Sequence, residues 1–211
     1  MRLAALTTLR LGGPAQRLVE AHTEEELVAA VRERPALVLA GGSNVVIADE
    51  GVPGTVVLVR TRGIERDGTR LVIQAGEPWD EVVAYTVREG LQGFECLSGI
   101  PGSTGATPIQ NVGAYGQDVS ETIEWVRVYD RETDRVETIA AADCWFGYRT
   151  SRFKYRDRWT VLAVCFRLRA SELSGPLRYG EVRRVLGDRA PLADVRETVL
   201  RLRRAKGIVI D

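Results

Sequence analysis

At 211 residues the chain is long enough for one large domain or two small ones, and 45% apolar against 27% charged residues is the balance of a globular protein. Twenty-nine basic residues offset twenty-nine acidic ones, which leaves no overall field to favour nucleic acid or an anionic membrane. Three separated cysteines (Cys96, Cys144, Cys165) without a CxxC pair, and a single histidine (His22), argue against a disulfide framework, a metal site or a Ser-His-Asp triad. The opening MRLAALTTLRLGG is too short and interrupted for a signal peptide, and no apolar run approaches membrane-spanning length, so a cytoplasmic protein is expected.

In chain order, Thr23 and Glu26 form a capping box for a helix whose Leu27, Val28 and Val31 share a face, with His22 flanking it. ALVLA (36–40) reads as a short buried strand that runs straight into GGSN (41–44), and GTVVLVR (54–60) as a second strand. TRLVIQAG (69–76) predicts another strand. Pro78 then suits the first turn of a helix with Trp79, Val82, Val83 and Val87 as its stripe, ending at Gly90. EWVRVYD and RVETI, separated by RETD, predict a hairpin, and WTVLAVCFRLR (159–169) a long buried strand. The last helix, over 192–207, places Leu192, Val195, Val199 and Leu202 on one face, with Gly207 as its cap. The fold class is α+β without internal repeats.

Two glycine-rich loops carry the chemistry. GGSN directly after a strand can offer successive backbone N–H groups to an anion, with the Ser43 hydroxyl and Asn44 amide beside them, although a plain tight turn accounts for it equally. GIPGSTGATPIQNVGAYGQD (99–118) holds five glycines, and offers the amides and hydroxyls of Ser103, Thr104 and Gly105 and the carboxamides of Gln110 and Asn111. Paired, the loops suit an extended ligand with a diphosphate and a ring system. FGYRTSRFKYRDR (146–158) mixes cations with aromatics. Most of it reads as a solvated basic loop, while Arg149 has the fork to hold a carboxylate bidentately. Single-strand nucleic-acid binding is disfavoured by so short a patch on a neutral chain.

TTLRLGGPA, LAGGSNVVIAD, GIPGSTGATPIQNVGAYGQD, FGYRTSRFK, LRYGEV and LRRAKGIVID occur in the order found in UDP-N-acetylenolpyruvoylglucosamine reductases, which the chain resembles over essentially its whole length. The resemblance implies an FAD-binding fold of the VAO/PCMH type. Two α+β subdomains (1–60 and 61–170) would hold FAD, and residues 171–211 would begin a third, substrate-binding domain. It implies that Gly41, Gly42, Ser43 and Asn44 cradle the FAD diphosphate. Ile100, Pro101, Gly102, Ser103, Thr104, Gly105, Ala106, Gln110, Asn111 and Gly113 would line the rest of the flavin site. Arg149 would be the catalytic arginine, Tyr115 and Tyr179 substrate-side tyrosines, and Lys206 the lysine near the substrate diphosphate.

By the same resemblance NADPH is the hydride donor, a UDP-sugar enolpyruvyl ether the substrate, and the complete enzyme a cytoplasmic monomer of peptidoglycan precursor synthesis. The family's proton-donor serine and assisting glutamate would fall beyond Asp211, and Ser171 and Ser174 lack the context to replace the serine. The alternative expectation is therefore a flavin-binding remnant without turnover. A further expectation is that the apolar face of the 192–206 helix lacks partners and leaves an exposed hydrophobic patch.

Overall fold

The computed structural model describes residues 2–209. Strand β1 (Ala15–Ala21) leads into helix α1 (Glu24–Arg32). The capping box is present: the Glu26 N–H donates to Thr23 Oγ1 (3.2 Å) and the His22 N–H to Glu26 Oε2 (2.8 Å). Strands β2 (Leu37–Leu39) and β3 (Val52–Val59) complete a parallel sheet in the order β1-β3-β2. Its central strand is apolar on both faces. Val56 and Leu58 pack with Leu3, Leu39 and Ile47, while Val57 and Val59 join Leu27 and Val31 of α1. The sequence pattern did not reveal β1, because Arg17, Leu18, Val19 and Glu20 break strict alternation. Its strand state comes from pairing with β3, from Arg17 opposite Thr55 to Ala21 opposite Val59.

A second, antiparallel sheet has the order β10-β9-β11-β5-β4. It is built from β4 (Ile64–Asp67), β5 (Arg70–Gln74), β9 (Ile123–Asp130), β10 (Arg135–Ala140) and β11 (Trp159–Arg167). Between them lie α2 (Trp79–Arg88) and the two-residue strands β6 (Leu91–Gln92), β7 (Gly113–Ala114) and β8 (Gln117–Asp118). The β9–β10 hairpin and the buried central β11 match the sequence reading. Trp79 of α2 meets Phe94 at 4.8 Å between ring centroids, and Phe94 meets Phe166 of β11 edge-on at 4.9 Å, a packed aromatic triad under the sheet.

After β12 (Arg169–Ala170), α3 (Gly180–Leu186) and α4 (Leu192–Ala205) follow. The expected bare face on α4 is not found. Leu192, Val195 and Val199 are at most 3% exposed, and Leu202 is half-buried. Cys96 in the turn Glu95–Leu97, together with Leu177, Val182 of α3 and Ala190, packs against that face. Helical periodicity showed that this face must be covered but not that a short turn from the middle of the chain covers it. Gly207 does cap the helix, at φ +66°. In the closing IVID, read as the start of an apolar segment, Ile210 and Asp211 lie outside the described residues.

Charge pairs tie the layers. Asp80 of α2 accepts two hydrogen bonds from Arg196 of α4, at 2.6 and 2.8 Å. Asp130, fully buried at the end of β9, accepts two from Arg158 (2.9 and 2.5 Å) and one from the Glu132 N–H (2.9 Å). The Arg158 bonds hold the Asp130 carboxyl below its ordinary range, against the upward push of burial. A carboxyl depressed on folding stabilises the native state fully above its unfolded pKa of about 3.9, and that contribution is lost as pH falls through the folded value. Asp130→Asn is expected to lower stability near pH 7 and to flatten the loss below about pH 4, read from urea midpoints across pH. An unchanged acid limb would show that Asp130 is not part of it.

Candidate functional site

GGSN leaves the end of β2 and turns at Gly42, whose φ is +62°. The second glycine-rich loop arrives from below α2, where the Trp79 N–H donates to the Gly102 carbonyl (3.0 Å) and the Thr104 N–H to Glu77 (2.8 Å). The two loops touch. A Cβ on Gly41 would lie 2.6 Å from Gly102 Cα, and Ser43 Oγ donates weakly to the Pro101 carbonyl at 3.4 Å. The residues singled out in separate segments thus form one wall.

That wall bounds an elongated cleft. A lobe of about 360 Å³ is lined by Gly41, Gly42, Ser43, Asn44, Ile100, Pro101, Gly102, Ser103, Ala106 and Gln110, with Trp79, Lys154 and Tyr155. A second lobe, about 320 Å³, shares Val38, Ala40, Ala106 and Ile109 with it, and continues past Gly105 to Trp159, Thr160 and Arg131. In the opposite direction a small lobe of about 180 Å³ shares Ile100, Gln110 and Val112, and ends at Gly113, Arg149 and Arg203. A broader open hollow of about 640 Å³ by Ala4–Arg10 and Arg60 adjoins at Ala40 and Gly41. The narrower cleft is the better candidate because unpartnered polar atoms line it.

Ser103 Oγ and Trp79 Nε1 in the first lobe, and Trp159 Nε1 and Arg131 Nε in the second, are buried without a hydrogen-bond partner. Each such group costs about 1–3 kcal/mol unless a ligand satisfies it. The turn amides, these donors and the apolar walls fit a long ligand with an anionic middle and flat ends, as a flavin dinucleotide has. Two of the singled-out residues take other places. Thr104 Oγ1 donates to the Glu77 carbonyl (3.2 Å), and the residue lines none of these lobes. Asn111 is buried, with Nδ2 donating to the Gly147 carbonyl (3.0 Å) and Oδ1 accepting from the Ser120 N–H (3.2 Å). Its carboxamide joins the glycine-rich loop to the loop that bears Arg149.

Arg149 itself is pinned. Nη2 donates to the Gly113 carbonyl (2.6 Å), Nη1 to that of Asn111 (3.3 Å), and Asp118 stands 3.4 Å away. A Cβ on Gly113 would collide with Asp118 Oδ1 and lie 2.7 Å from Arg149 Nη1, so a side chain there would displace the ends of both. Tyr115, Tyr179 and Lys206, far apart in sequence, meet. The tyrosine rings are edge-on at 5.0 Å, and Lys206 Nζ lies 5.6 and 5.7 Å from them. Glu181, at 2.6 Å, raises the lysine's pKa. Asn111, Tyr115 and Arg149 all sit at positive φ (46°, 48° and 53°), strain of the kind that concentrates at functional sites.

The sequence reading passed over Trp79, Lys154, Tyr155 and Arg203 as cleft residues. One signal was available: Arg203 follows Val199 by four positions, on the stripe defined by Leu192, Val195 and Val199, and is only 8% exposed. An arginine on a buried stripe calls for an explanation. Burial pushes its pKa down, with Tyr115 and Asp80 opposing.

The chain is similar to several known proteins. A family model described as FAD binding domain matches residues 15–139. The UDP-N-acetylenolpyruvoylglucosamine reductase of Salinispora arenicola is 59% identical over 223 residues, covering 99% of this chain and 61% of that protein. The Thermobifida fusca protein of the same name is 54% identical over 223 residues, covering 99% and 63%. The chain thus spans about three fifths of the length of these curated relatives. The crystal structure of UDP-N-acetylenolpyruvylglucosamine reductase from Thermus caldophilus superposes with a TM-score of 0.74 at 26% identity, covering 98% of this chain and 68% of that one.

The contact between the loops is open to test. Gly41→Ala must push Gly102 away, a strain of about 1–3 kcal/mol, so FAD uptake is expected to weaken roughly tenfold or more. Gly180→Ala, whose new methyl meets nothing within 4 Å, is expected to leave uptake unchanged. Flavin fluorescence quenching measures both.

Proposed function

The chain belongs to the FAD binding domain family, and from that premise we propose that it is the flavin-holding part of an NADPH-driven reductase. The substrate in this reading is UDP-N-acetylglucosamine enolpyruvate, which is converted to UDP-N-acetylmuramate for peptidoglycan precursors. The observation that carries the reading is continuity: the lobe lined by both glycine-rich loops shares Ile100, Gln110 and Val112 with the lobe that ends at Arg149. The relatives' names, and their similarity to 99% of this chain, support it.

When bound, FAD supplies the hydride chemistry. The chain's own residues orient and stabilise. The amides of Gly41 to Asn44, with Ser103 Oγ, would hold the diphosphate between the loops. Ile100, Gln110 and Val112 would seat the flavin end beside Arg149. The Arg149 guanidinium, already oriented by the carbonyls of Asn111 and Gly113, would accept the substrate carboxylate and stabilise the negative charge that develops on it. Tyr115, Tyr179 and Lys206 would receive the sugar nucleotide, Lys206 exchanging Glu181 for phosphate. The subdomain limits at residues 60 and 170 belong to this reading too. Apolar packing crosses both, through Val57 and Val59 with Leu71 and through Cys96 with Val199.

A second reading, flavin binding without turnover, draws on the two serines. Ser171 Oγ donates to the Leu173 carbonyl (2.7 Å), and Ser174 Oγ to that of Gly175 (2.8 Å), so both hold turns rather than offer a proton to the cleft. No helix among the described residues is long and apolar enough to cross a membrane. Dependence on a nucleotide sugar and NADPH fits a cytoplasmic location, and a monomer belongs to the same reading.

Anaerobic addition of NADPH to the FAD-loaded chain, followed by the enolpyruvyl sugar nucleotide, is expected to bleach the flavin and then restore its colour. Bleaching without recovery would favour the second reading, and failure to take up FAD would sink both. Arg149→Lys, which loses the bidentate fork, is expected to slow recovery by about 10²–10³ with FAD uptake intact.

A further inference from the structure

Three of the arginines in the basic loop have partners in the protein. Arg149 rests on the carbonyls of Asn111 and Gly113, and Arg158 pairs with Asp130. Arg152 lies between the rings of Trp145 and Trp159, at 5.0 and 4.7 Å from their centroids. Lys154 differs. Among the described residues it forms no ion pair, and Nζ meets only the Arg149 carbonyl, to which it donates at 2.6 Å, and the Tyr155 ring at 4.9 Å.

Nor is Lys154 a free surface lysine. Its chain neighbour Phe153 is buried, and Ser151, also buried, donates from Oγ to the Ile109 carbonyl (2.7 Å), which fixes this backbone against the second glycine-rich loop. The side chain is half-buried and lines the lobe of about 360 Å³. Among the described residues it is the one charged group there, facing walls that include Gly41 to Asn44 and the unpartnered Ser103 hydroxyl. Turn amides and a cation with no acid beside them favour an anion. An ammonium has three donors, and the Arg149 carbonyl takes one.

We propose that Lys154 bridges the two parts of the site: its ammonium meets the diphosphate of the bound dinucleotide while keeping its bond to the Arg149 carbonyl. Filling the lobe then fixes the backbone from which the Arg149 guanidinium projects. This role rests on the reductase reading. Toward the diphosphate Lys154 is a direct contact, and toward Arg149 a positioning residue. Before the ligand arrives, a neutral carbonyl and a ring hold the ammonium. An anionic oxygen adds a charge-assisted bond, roughly twice as strong as a neutral one.

FAD and riboflavin are the probes, titrated into the full chain by flavin fluorescence at low and high salt. Lys154→Met is expected to bind FAD about 10- to 100-fold more weakly than the wild type at low salt, the loss of a charge-assisted hydrogen bond, with Lys154→Arg close to the wild type. The gap is expected to narrow near 1 M salt, where the Debye length falls to about 3 Å. Riboflavin, which has no phosphate, is expected to show no difference among the three proteins. With FAD saturating, return of flavin colour on adding the enolpyruvyl sugar nucleotide is expected to be about tenfold slower in Lys154→Met and restored in Lys154→Arg, because a displaced Arg149 is costly. Lys154→Gln replaces the methionine variant if that one fails to fold. Equal FAD affinities in wild type and Lys154→Met, a gap that high salt leaves unchanged, or an arginine variant as weak as the methionine one would overturn the diphosphate contact. Colour return at the wild-type rate in Lys154→Met would overturn the tie to Arg149. Failure of the reductase reading shows separately, as Lys154-dependent FAD binding in a wild type whose colour never returns, whereas a wild type that takes up no FAD would overturn both.

Discussion

The close approach of two backbones, at Gly41 and Gly102, is the constraint on which the site depends. With 2.6 Å between the place of a Cβ on one glycine and the Cα of the other, no larger residue fits at position 41 without parting the loops. The contact joins the parallel sheet, which carries GGSN at the end of β2, to the turn held under α2 by Glu77 and Trp79. The cleft is what remains between the two sheets once that contact is made. Glycine here serves loop against loop, and the ligand's access is a consequence of that packing.

The Gly99 peptide, at the head of the second loop, is held at both ends. Its N–H donates to Asp80 and its carbonyl accepts from Arg203, while Arg196 closes the ring from α4 to α2. Helix α4 therefore does two jobs. Its apolar face seals the cluster around Cys96 and Val182, and its basic side chains fix the loop that bounds the cleft. A charged tie of this kind gives orientation more than net stability, since desolvation offsets much of the attraction.

At the far end, three residues at positive φ and a glycine packed against the Asp118 and Arg149 side chains put Arg149 against carbonyl oxygens instead of a full carboxylate pair. Asp118 at 3.4 Å balances the charge only loosely. The guanidinium is thus oriented before any ligand arrives, and its remaining capacity faces the lobe. Pre-orientation of this kind is how a fixed charge outperforms water at a developing anion.

The sequence by itself determined the local elements and the chemistry on offer. The Thr23 capping box, the stripes of α2 and α4, the β9–β10 hairpin and the buried β11 follow from caps and periodicity that need no distant partner. Both glycine-rich loops stood out by composition, and Arg149 by the family resemblance. Only the tertiary structure decided what each meets, because contacts between residues far apart in the chain leave no periodic trace. It made a strand of residues 15–21 by pairing them with β3, and covered the α4 face with a turn near Cys96. It spent the Asn111 carboxamide on protein partners, gathered Tyr115, Tyr179 and Lys206, and left Arg203 buried beside Arg149.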